Sequence, residues 1–209
     1  MKLLLASDGQ FIFSKGMDLV GIPKESMNIA YVTTASKGGT KSPKYVAQYK
    51  QVMRERGYNF GEVDIEGKTE KELEVIFKNK NTIYVEGGNT FRLLKAVKES
   101  GFDKVAKGLV EKEVVYIGVS AGAYIACPTI EVSTWRPDSK NRYGLTDFTA
   151  LHFVDFLLKA HYTDDMNEWL VPKIKEAKYP VRIIRDGQGI LVEDDSSGFF
   201  GEGEEVKLL

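Results

Sequence analysis

The chain has little cysteine and histidine: one cysteine and two histidines among 209 residues. The lone Cys127 excludes a disulfide within the chain, and this scarcity fits a reducing compartment. Structural zinc sites of cysteine and histidine are excluded too, because these three residues do not have the spacing of zinc ligands. The acidic clusters are interpreted as solvated surface, and we therefore predict no metal and no other cofactor.

Long hydrophobic runs and an excess of one charge are also missing. The apolar run Leu3 to Ala6 is too short for the core of a signal peptide, and no segment approaches the length of a membrane span. The net charge is -1 and no dense basic tract occurs, which argues against nucleic-acid binding. We expect a cytoplasmic monomer or homodimer without nucleic-acid or membrane partners.

Strand and helix patterns alternate along most of the chain. No repeat, low-complexity tract or linker divides it, so residues 1–209 are predicted to form one domain. The alternation predicts an α/β three-layer sandwich with a mainly parallel central sheet. Predicted strands are Leu3 to Ala6, Asn28 to Thr33, Asn59 to Ile65, Thr82 to Val85, Val114 to Ile117, Thr129 to Ser133, Val181 to Ile184, Gly189 to Val192, Gly198 to Phe200 and Val206 to Leu209. Predicted helices are Ser42 to Gly57 (with Ser42 as N-cap and Pro43 at the first position), Glu70 to Lys78, a helix after Asn89, Phe102 to Val110 and Asp165 to Ala177; Leu151 to Leu158 is ambiguous and Trp135 to Phe148 irregular.

The pentapeptide G-x-S-x-G occurs at Gly118 to Gly122, directly after the apolar run Val114 to Ile117. In a nucleophile elbow of this pattern, a sharp strand-to-helix turn holds the hydroxyl of the serine, here Ser120, above the sheet edge. Glycines on both sides prevent collisions as the backbone reverses, and N–H groups of the following helix can stabilise an oxyanion. The same five residues are also found by chance in ordinary α/β turns.

A second glycine loop, Glu86 to Thr90, also joins a predicted strand to a predicted helix. Backbone N–H groups in such a turn suit a carboxylate or an oxyanion, although any tight turn favours glycine. Ligand sites of parallel sheets lie at the carboxyl ends of the strands, and both glycine loops fall there. We therefore expect the two loops to share one site.

A serine nucleophile needs a base, usually a histidine that a carboxylate orients. His152 lies inside an apolar run and is interpreted as structural, whereas His161 lies where an apolar run gives way to a polar loop. Asp186 follows an apolar strand and precedes a glycine turn, which makes it the preferred acid. Asp164 and Asp165 precede a helix and are interpreted as caps.

The order Ser, His, Asp differs from the Ser, Asp, His order of the α/β-hydrolases and favours another fold family. Three segments, Tyr84 to Lys95, Tyr116 to Ile130 and Ala160 to Thr163, together closely resemble the dipeptidase E family, the aspartyl dipeptidases. That resemblance covers nearly the whole chain. It implies a cytoplasmic serine peptidase with a class I glutamine amidotransferase-like, flavodoxin-like fold; cyanophycinase is a more distant relative.

The resemblance also implies roles for individual residues. Ser120 would be the nucleophile and His161 the general base. The backbone N–H groups of Gly88 and Ala121 would form the oxyanion hole, and Asn89 would help to shape the substrate site.

Two features depart from the family pattern. Some members have Glu where this chain has Asp186, while others use Asp, so here a shorter carboxylate must reach the same imidazole. Enterobacterial members carry a basic loop after the histidine motif, implicated in binding the substrate's aspartate, but Thr163 to Glu168 here is acidic and would repel it. Arg136, or else Lys140, is the candidate replacement cation, although a solvated surface charge is the simpler interpretation of each.

The favoured function is therefore a serine peptidase that acts on short peptides, with Asp-X dipeptides as the family's substrate. A glutaminase would need cysteine at the elbow, and Cys127 lies seven residues beyond Ser120, about 10 Å along a helix. A hydrolase of another amide, such as a cyanophycin-like isoaspartyl peptide, is one alternative. A catalytically silent or regulatory binding protein on the same fold is the other.

Overall fold

A computed structural model describes residues 1–37, 43–141 and 143–208. The strands are β1 Lys2–Ala6, β2 Asn28–Val32, β3 Asn59–Val63, β4 Thr82–Val85, β5 Val115–Val119, β6 Leu157–Lys159, β7 Val181–Ile183, β8 Gly189–Glu193 and β9 Ser196–Phe200. The helices are α1 Gly9–Phe11, α2 Met17–Leu19, α3 Lys44–Glu55, α4 Glu70–Phe77, α5 Thr90–Ser100, α6 Phe102–Val110, α7 Ala121–Ala126 and α8 Asn167–Glu176. A π-type turn, Ile12–Gly16, joins α1 to α2.

The main sheet has the strand order β3-β2-β4-β5-β1-β8-β9. Strands β1 to β5 are parallel, whereas β8 runs antiparallel to β1 and β9 antiparallel to β8. A separate parallel pair joins β6 to β7. The predicted α/β fold with a mainly parallel central sheet is thus confirmed.

Apolar side chains cover both faces of the sheet. Leu3 and Leu5 of β1 belong to one buried cluster, with residues of α4 to α7, while Leu4 and Ala6 belong to a second cluster, with residues of α1 to α3. Successive side chains of a strand point to opposite faces, so a strand covered on both sides is apolar throughout. This layering explains the continuous apolar runs that predict the central strands.

Local signals determine where several helices begin and end. The hydroxyl of Thr69 accepts the N–H of Glu72, and the Glu72 carboxylate accepts the N–H of Thr69, which forms a capping box at the start of α4. Helix α5 starts at the N-cap Asn89 and ends at Gly101, whose φ of 74° suits glycine. None of the helices among the described residues has the length and apolarity that crossing a membrane requires.

Two predicted strands are wrong. Thr129 makes only an isolated bridge to Thr149, and a 3-10 turn, Glu131–Thr134, follows it. The reason is local: the Thr129 hydroxyl accepts the N–H of Glu131 at 3.1 Å, which favours a turn over a strand. At the other end of the chain Val206 makes only an isolated bridge, to Ile183.

The structure also differs from the predicted helices. Pro43 is the N-cap residue that precedes α3, not its first helical residue. The predicted cap Ser42 and the terminal Leu209 lie outside the described residues. No sequence pattern predicted α1, the π-type turn and α2, while β6 falls at the end of the ambiguous segment Leu151 to Leu158.

Candidate active site

The strand-to-helix turn at Ser120 is tight and strained. Ser120 connects β5 to α7 with a φ of 48° and a ψ of -106°, a backbone conformation that residues other than glycine rarely adopt. A Cβ atom on Gly118 would lie 2.6 Å from the carbonyl oxygen of Gly122, and one on Gly122 would lie 2.1 Å from that of Val85. Both glycines are required because α7 packs directly against the strands.

The side chains of Ser120, His161 and Asp186 form a continuous chain of hydrogen bonds. His161 Nε2 lies 2.9 Å from Ser120 Oγ, and His161 Nδ1 lies 2.6 Å from Asp186 Oδ1. His161 follows β6 and has a φ of 56°, while Asp186 lies in the loop between β7 and β8. This geometry allows proton transfer from the hydroxyl to an imidazole that the carboxylate orients.

Ser7, at the end of β1, is a site residue that the sequence analysis missed. Its hydroxyl donates to Asp186 Oδ1 at 2.6 Å and accepts the backbone N–H of His161 at 2.9 Å. Burial raises the pKa of Asp186, but the Ser7 hydrogen bond and the His161 charge outweigh it, and the pKa falls below its ordinary value. The only available signal was its position, a polar residue directly after a central strand.

A cavity of about 360 Å³ opens beside Ser120 and His161. Besides these two residues, its wall contains two tyrosines, three glycines, two carboxyl groups, Ser7 and Val119. The tyrosines come from α3, and one carboxyl group follows β1 while the other follows β4. The carboxyl ends of the parallel strands therefore form the wall, as the sheet topology predicts.

The second glycine loop lies against Ser120. A Cβ atom on Gly87 would lie 3.2 Å from Ser120 Cβ, and one on Gly88, at a φ of 143°, would lie 2.3 Å from the carbonyl oxygen of Ala35. Within the described part of the chain, neither the N–H of Gly88 nor that of Ala121 donates a hydrogen bond. Gly88 lines the cavity beside Ser120, whereas Ala121, the first residue of α7, is fully buried.

Asn89 and Arg136 do not line the cavity. The Asn89 carboxamide oxygen accepts the N–H of Arg92 at 2.9 Å, so this side chain caps α5. Arg136 is exposed, and its Nε lies 3.1 Å from an Asp138 carboxylate oxygen. The structure thus places Arg136 with a surface partner and outside the cavity wall.

The residues that the sequence analysis set aside lie outside the cavity too. His152 is exposed, and its Nε2 lies 2.9 Å from Asp155 Oδ1. Cys127 is buried, and burial raises the pKa of its thiol to about 12, which leaves it unreactive. Asp164 pairs with Arg185 at 2.7 Å, so part of the acidic loop after His161 is neutralised.

Lys159, two residues before His161, is a buried cation. Its Nζ donates to the carbonyl oxygen of Ala160 at 2.6 Å, and no carboxylate forms an ion pair with it in the described ranges. Burial, together with the smaller effect of the nearby charge of Arg136, lowers the pKa of Lys159 to about 8. No sequence pattern indicated a role for this lysine.

An α/β sheet with a serine at a strand-to-helix turn and a histidine beside it is typical of serine-type hydrolases. The family model of peptidase family S51 matches residues 14–198, and the chain belongs to this family of serine-type peptidases. An uncharacterized peptidase of Pasteurella multocida is 31% identical over 199 residues, which are 93% of this chain and 95% of the relative. Peptidase E of a Nostoc species is 32% identical over 136 residues, which are 65% of this chain and 52% of the relative.

Solved structures support the same conclusion. A Listeria monocytogenes protein described as a candidate peptidase E has a TM-score of 0.83 and 27% identity, and the match covers 97% of this chain and 98% of that one. A peptidase of an acI-B1 actinobacterium has a TM-score of 0.65 but only 14% identity, which shows the fold alone. The resemblance to the dipeptidase E family and the class I glutamine amidotransferase-like fold are thus confirmed.

Proposed function

We propose that this peptidase hydrolyses short peptides through an acyl-enzyme, with Ser120, His161 and Asp186 as its catalytic triad. The observation that carries the proposal is the uninterrupted hydrogen-bond chain from Ser120 Oγ through the imidazole to Asp186, with separations of 2.9 and 2.6 Å. The strained backbone of Ser120 supports it, because such strain persists where function needs it.

Each group then has a defined task. Ser120 Oγ attacks the peptide carbonyl carbon while His161 Nε2 takes the hydroxyl proton. The N–H groups of Gly88 and Ala121 stabilise the negative charge that develops on the carbonyl oxygen. His161 next passes its proton to the leaving amine, and a water molecule, activated by the same imidazole, releases the acyl group. Asp186 holds the imidazole in one tautomer by accepting the Nδ1–H.

Labelling with a fluorophosphonate tests the nucleophile. The protein should be labelled, the Ser120→Ala variant should not, and a Ser14→Ala variant should be labelled like the wild type because Ser14 is an exposed helical residue bonded to Phe11. A screen of dipeptides, including β-linked isoaspartyl ones, would then identify the substrates. Equal labelling of the Ser120→Ala variant would refute the assignment.

Asp186→Asn tests the third member. The amide keeps the size of the side chain but no longer favours the productive tautomer, so kcat should fall by at least about 10²-fold.

Loss of all labelling and all hydrolysis in the wild type would instead favour the binding-protein alternative. Cytoplasmic location and a monomeric or homodimeric state stay predictions from the sequence.

A further inference from the structure

The charged groups in the cavity wall are unusual for an enzyme that would bind aspartate. Asp8 and Glu86 both line it, and within the described residues no lysine or arginine does. An aspartyl side chain placed beside Ser120 would face these two carboxyl groups without a compensating cation. The cavity instead has the charge that suits a cationic group.

Glu86 is the carboxyl group that adjoins the glycine loop beside Ser120. It is buried, with 1% of its surface exposed, and it directly precedes Gly87, which packs against Ser120. Tyr31 Oη donates to Glu86 Oε2, and the N–H of Gly87 donates to Oε1 at 2.8 Å. Two donors therefore orient the carboxyl group, but no described residue forms an ion pair with it.

Asp8 is already committed to the fold. Its Oδ1 accepts the N–H of Phe11 at 2.8 Å and caps α1, while its Oδ2 accepts the N–H of Gly187 at 2.6 Å. Each oxygen of Asp8 and each oxygen of Glu86 accepts one hydrogen bond, so both carboxyl groups keep acceptor capacity for a ligand cation. Asp8 caps a helix, whereas Glu86 directly precedes the glycine that packs against Ser120, so Glu86 is the better placed of the two.

Aromatic side chains complete this side of the cavity. The rings of Tyr45 and Tyr49 line it with centroids 6.2 Å apart, and Tyr45 Oη donates to the carbonyl oxygen of Gly87 at 3.2 Å. Aromatic faces next to a carboxylate suit an alkylammonium group, because the rings pack against its carbon chain and attract its charge. Tyr84, whose ring packs against Tyr31, has a buried hydroxyl with no hydrogen-bond partner in the described structure.

We propose that Glu86 determines specificity by binding an ammonium group of the residue on the acyl side of the scissile bond, and that aspartate is disfavoured there. The ammonium group is either the free α-amino group of the first residue or the side chain of a first lysine. The inference rests on the proposed peptidase function, since it assigns the charge of the residue that becomes attached to Ser120.

Matched dipeptides test the wild type. Asn-Leu should be hydrolysed with at least about tenfold higher kcat/KM than Asp-Leu, because only the second carries the repelled charge. A similar excess of Lys-Leu over norleucyl-leucine would identify the side chain as the source of the ammonium group. A similar loss on N-acetylation of Asn-Leu would identify the α-amino group. Aspartyl substrates equal to or better than Asn-Leu would overturn the proposal.

A Glu86→Gln variant tests the residue itself. The ammonium preference seen in the wild type should vanish, while a Glu62→Gln variant should keep it, because Glu62 lies near Tyr31 but bonds Lys50 and Thr33 outside the cavity. Preferences that survive Glu86→Gln would overturn the role of Glu86. Fluorophosphonate labelling of Ser120 in the same variant separates this outcome from failure of the peptidase assignment.

The Tyr31→Phe variant keeps the carboxyl group and covers the case in which Glu86→Gln does not fold. The tyrosines near the carboxyl group are Tyr31, Tyr84, Tyr45 and Tyr49, and the titratable groups Asp8 and His161 line the same cavity. Removing the Tyr31 hydroxyl removes a donor that favours the ionised form of Glu86. Dividing kcat/KM for a substrate with an ammonium group by kcat/KM for its uncharged match removes the pH effects that both reactions share. Below the pKa of the substrate's ammonium group, this ratio should increase with pH in the wild type, and in Tyr31→Phe the same increase should occur at a higher pH. A ratio that is independent of pH in both proteins would contradict the proposal.

Discussion

The hydroxyl of Ser7 donates a hydrogen bond of 2.6 Å to the Asp186 carboxylate, although the two residues are 179 positions apart. The same oxygen accepts the backbone N–H of His161 at 2.9 Å. Strand β1 therefore supplies one group that contacts both the proposed acid and the proposed base. We treat Ser7 as a positioning residue, because its hydroxyl bonds the Asp186 carboxylate and the backbone of His161.

Replacing Ser7 with alanine should lower kcat by roughly tenfold, the effect of losing one hydrogen bond to a charged group. The Ser7 hydrogen bond lowers the pKa of Asp186, so its removal should raise that pKa and move the acidic limb of the kcat/KM profile to higher pH. A Ser36→Ala variant is the control, since that buried hydroxyl bonds the carbonyl oxygen of Thr33 instead. An unchanged acidic limb would show that Ser7 only fills space.

Alanine substitution should lower the free energy of unfolding at a glycine of the elbow and raise it at a glycine in an open helix. Gly122→Ala places a Cβ atom 2.1 Å from the carbonyl oxygen of Val85, so α7 must shift, at a cost of about 1–3 kcal/mol of unfolding free energy and most of the activity. Gly108→Ala, inside α6 with no atom within 4 Å of the added carbon, should instead stabilise by about 0.5–1 kcal/mol. Chemical denaturation measures both values, and equal effects would contradict this prediction.

The ionisation of Glu86 should make the protein less stable as the pH rises. Burial raises the pKa of Glu86 to about 7 in the folded chain, whereas an exposed glutamate has an ordinary pKa of 4.5. Between these values the folded state holds a proton that the unfolded state has lost, so the free energy of unfolding falls by roughly 3 kcal/mol. Glu86→Gln should remove this contribution and be the more stable protein at pH 8, whereas a variant at Glu62 should keep it. Parallel pH slopes for wild type and Glu86→Gln would refute the prediction.

The ionisation of Lys159 should make the protein more stable as the pH rises. Its pKa of about 8 lies below the ordinary 10.5, so between these values the unfolded chain binds the extra proton and the free energy of unfolding rises with pH. Lys159→Met removes a buried cation and should raise the free energy of unfolding at pH 7 by about 1–3 kcal/mol. Lys95, exposed and 3.8 Å from Glu99, provides the control Lys95→Met, which should change it by less than about 0.5 kcal/mol. A loss of stability in Lys159→Met would contradict this interpretation.

Local patterns predicted most of the sheet and the elbow, because the apolar runs of β4 and β5 and the glycines around Ser120 are encoded within a few residues. Thr129 shows the limit, since a threonine whose hydroxyl accepts the N–H of Glu131 looks in sequence like any other β-branched residue. Ser7 shows another limit, because its partners lie on segments that only the folded sheet brings together. The charge of the cavity was equally hidden, since Asp8 and Glu86 follow different strands.

The antiparallel direction of β8 has a consequence for how the acid is supplied. Ala6 pairs with Gly189, so β8 begins beside the carboxyl end of β1, and Asp186 precedes that first residue in a loop. Ser120 follows its strand directly, so any shift of β5 would move it. The position of Asp186 depends instead on the loop between β7 and β8. That loop can change length while every strand keeps its register. A longer carboxylate, such as the glutamate of some dipeptidase E members, can therefore serve the same imidazole from the same sheet.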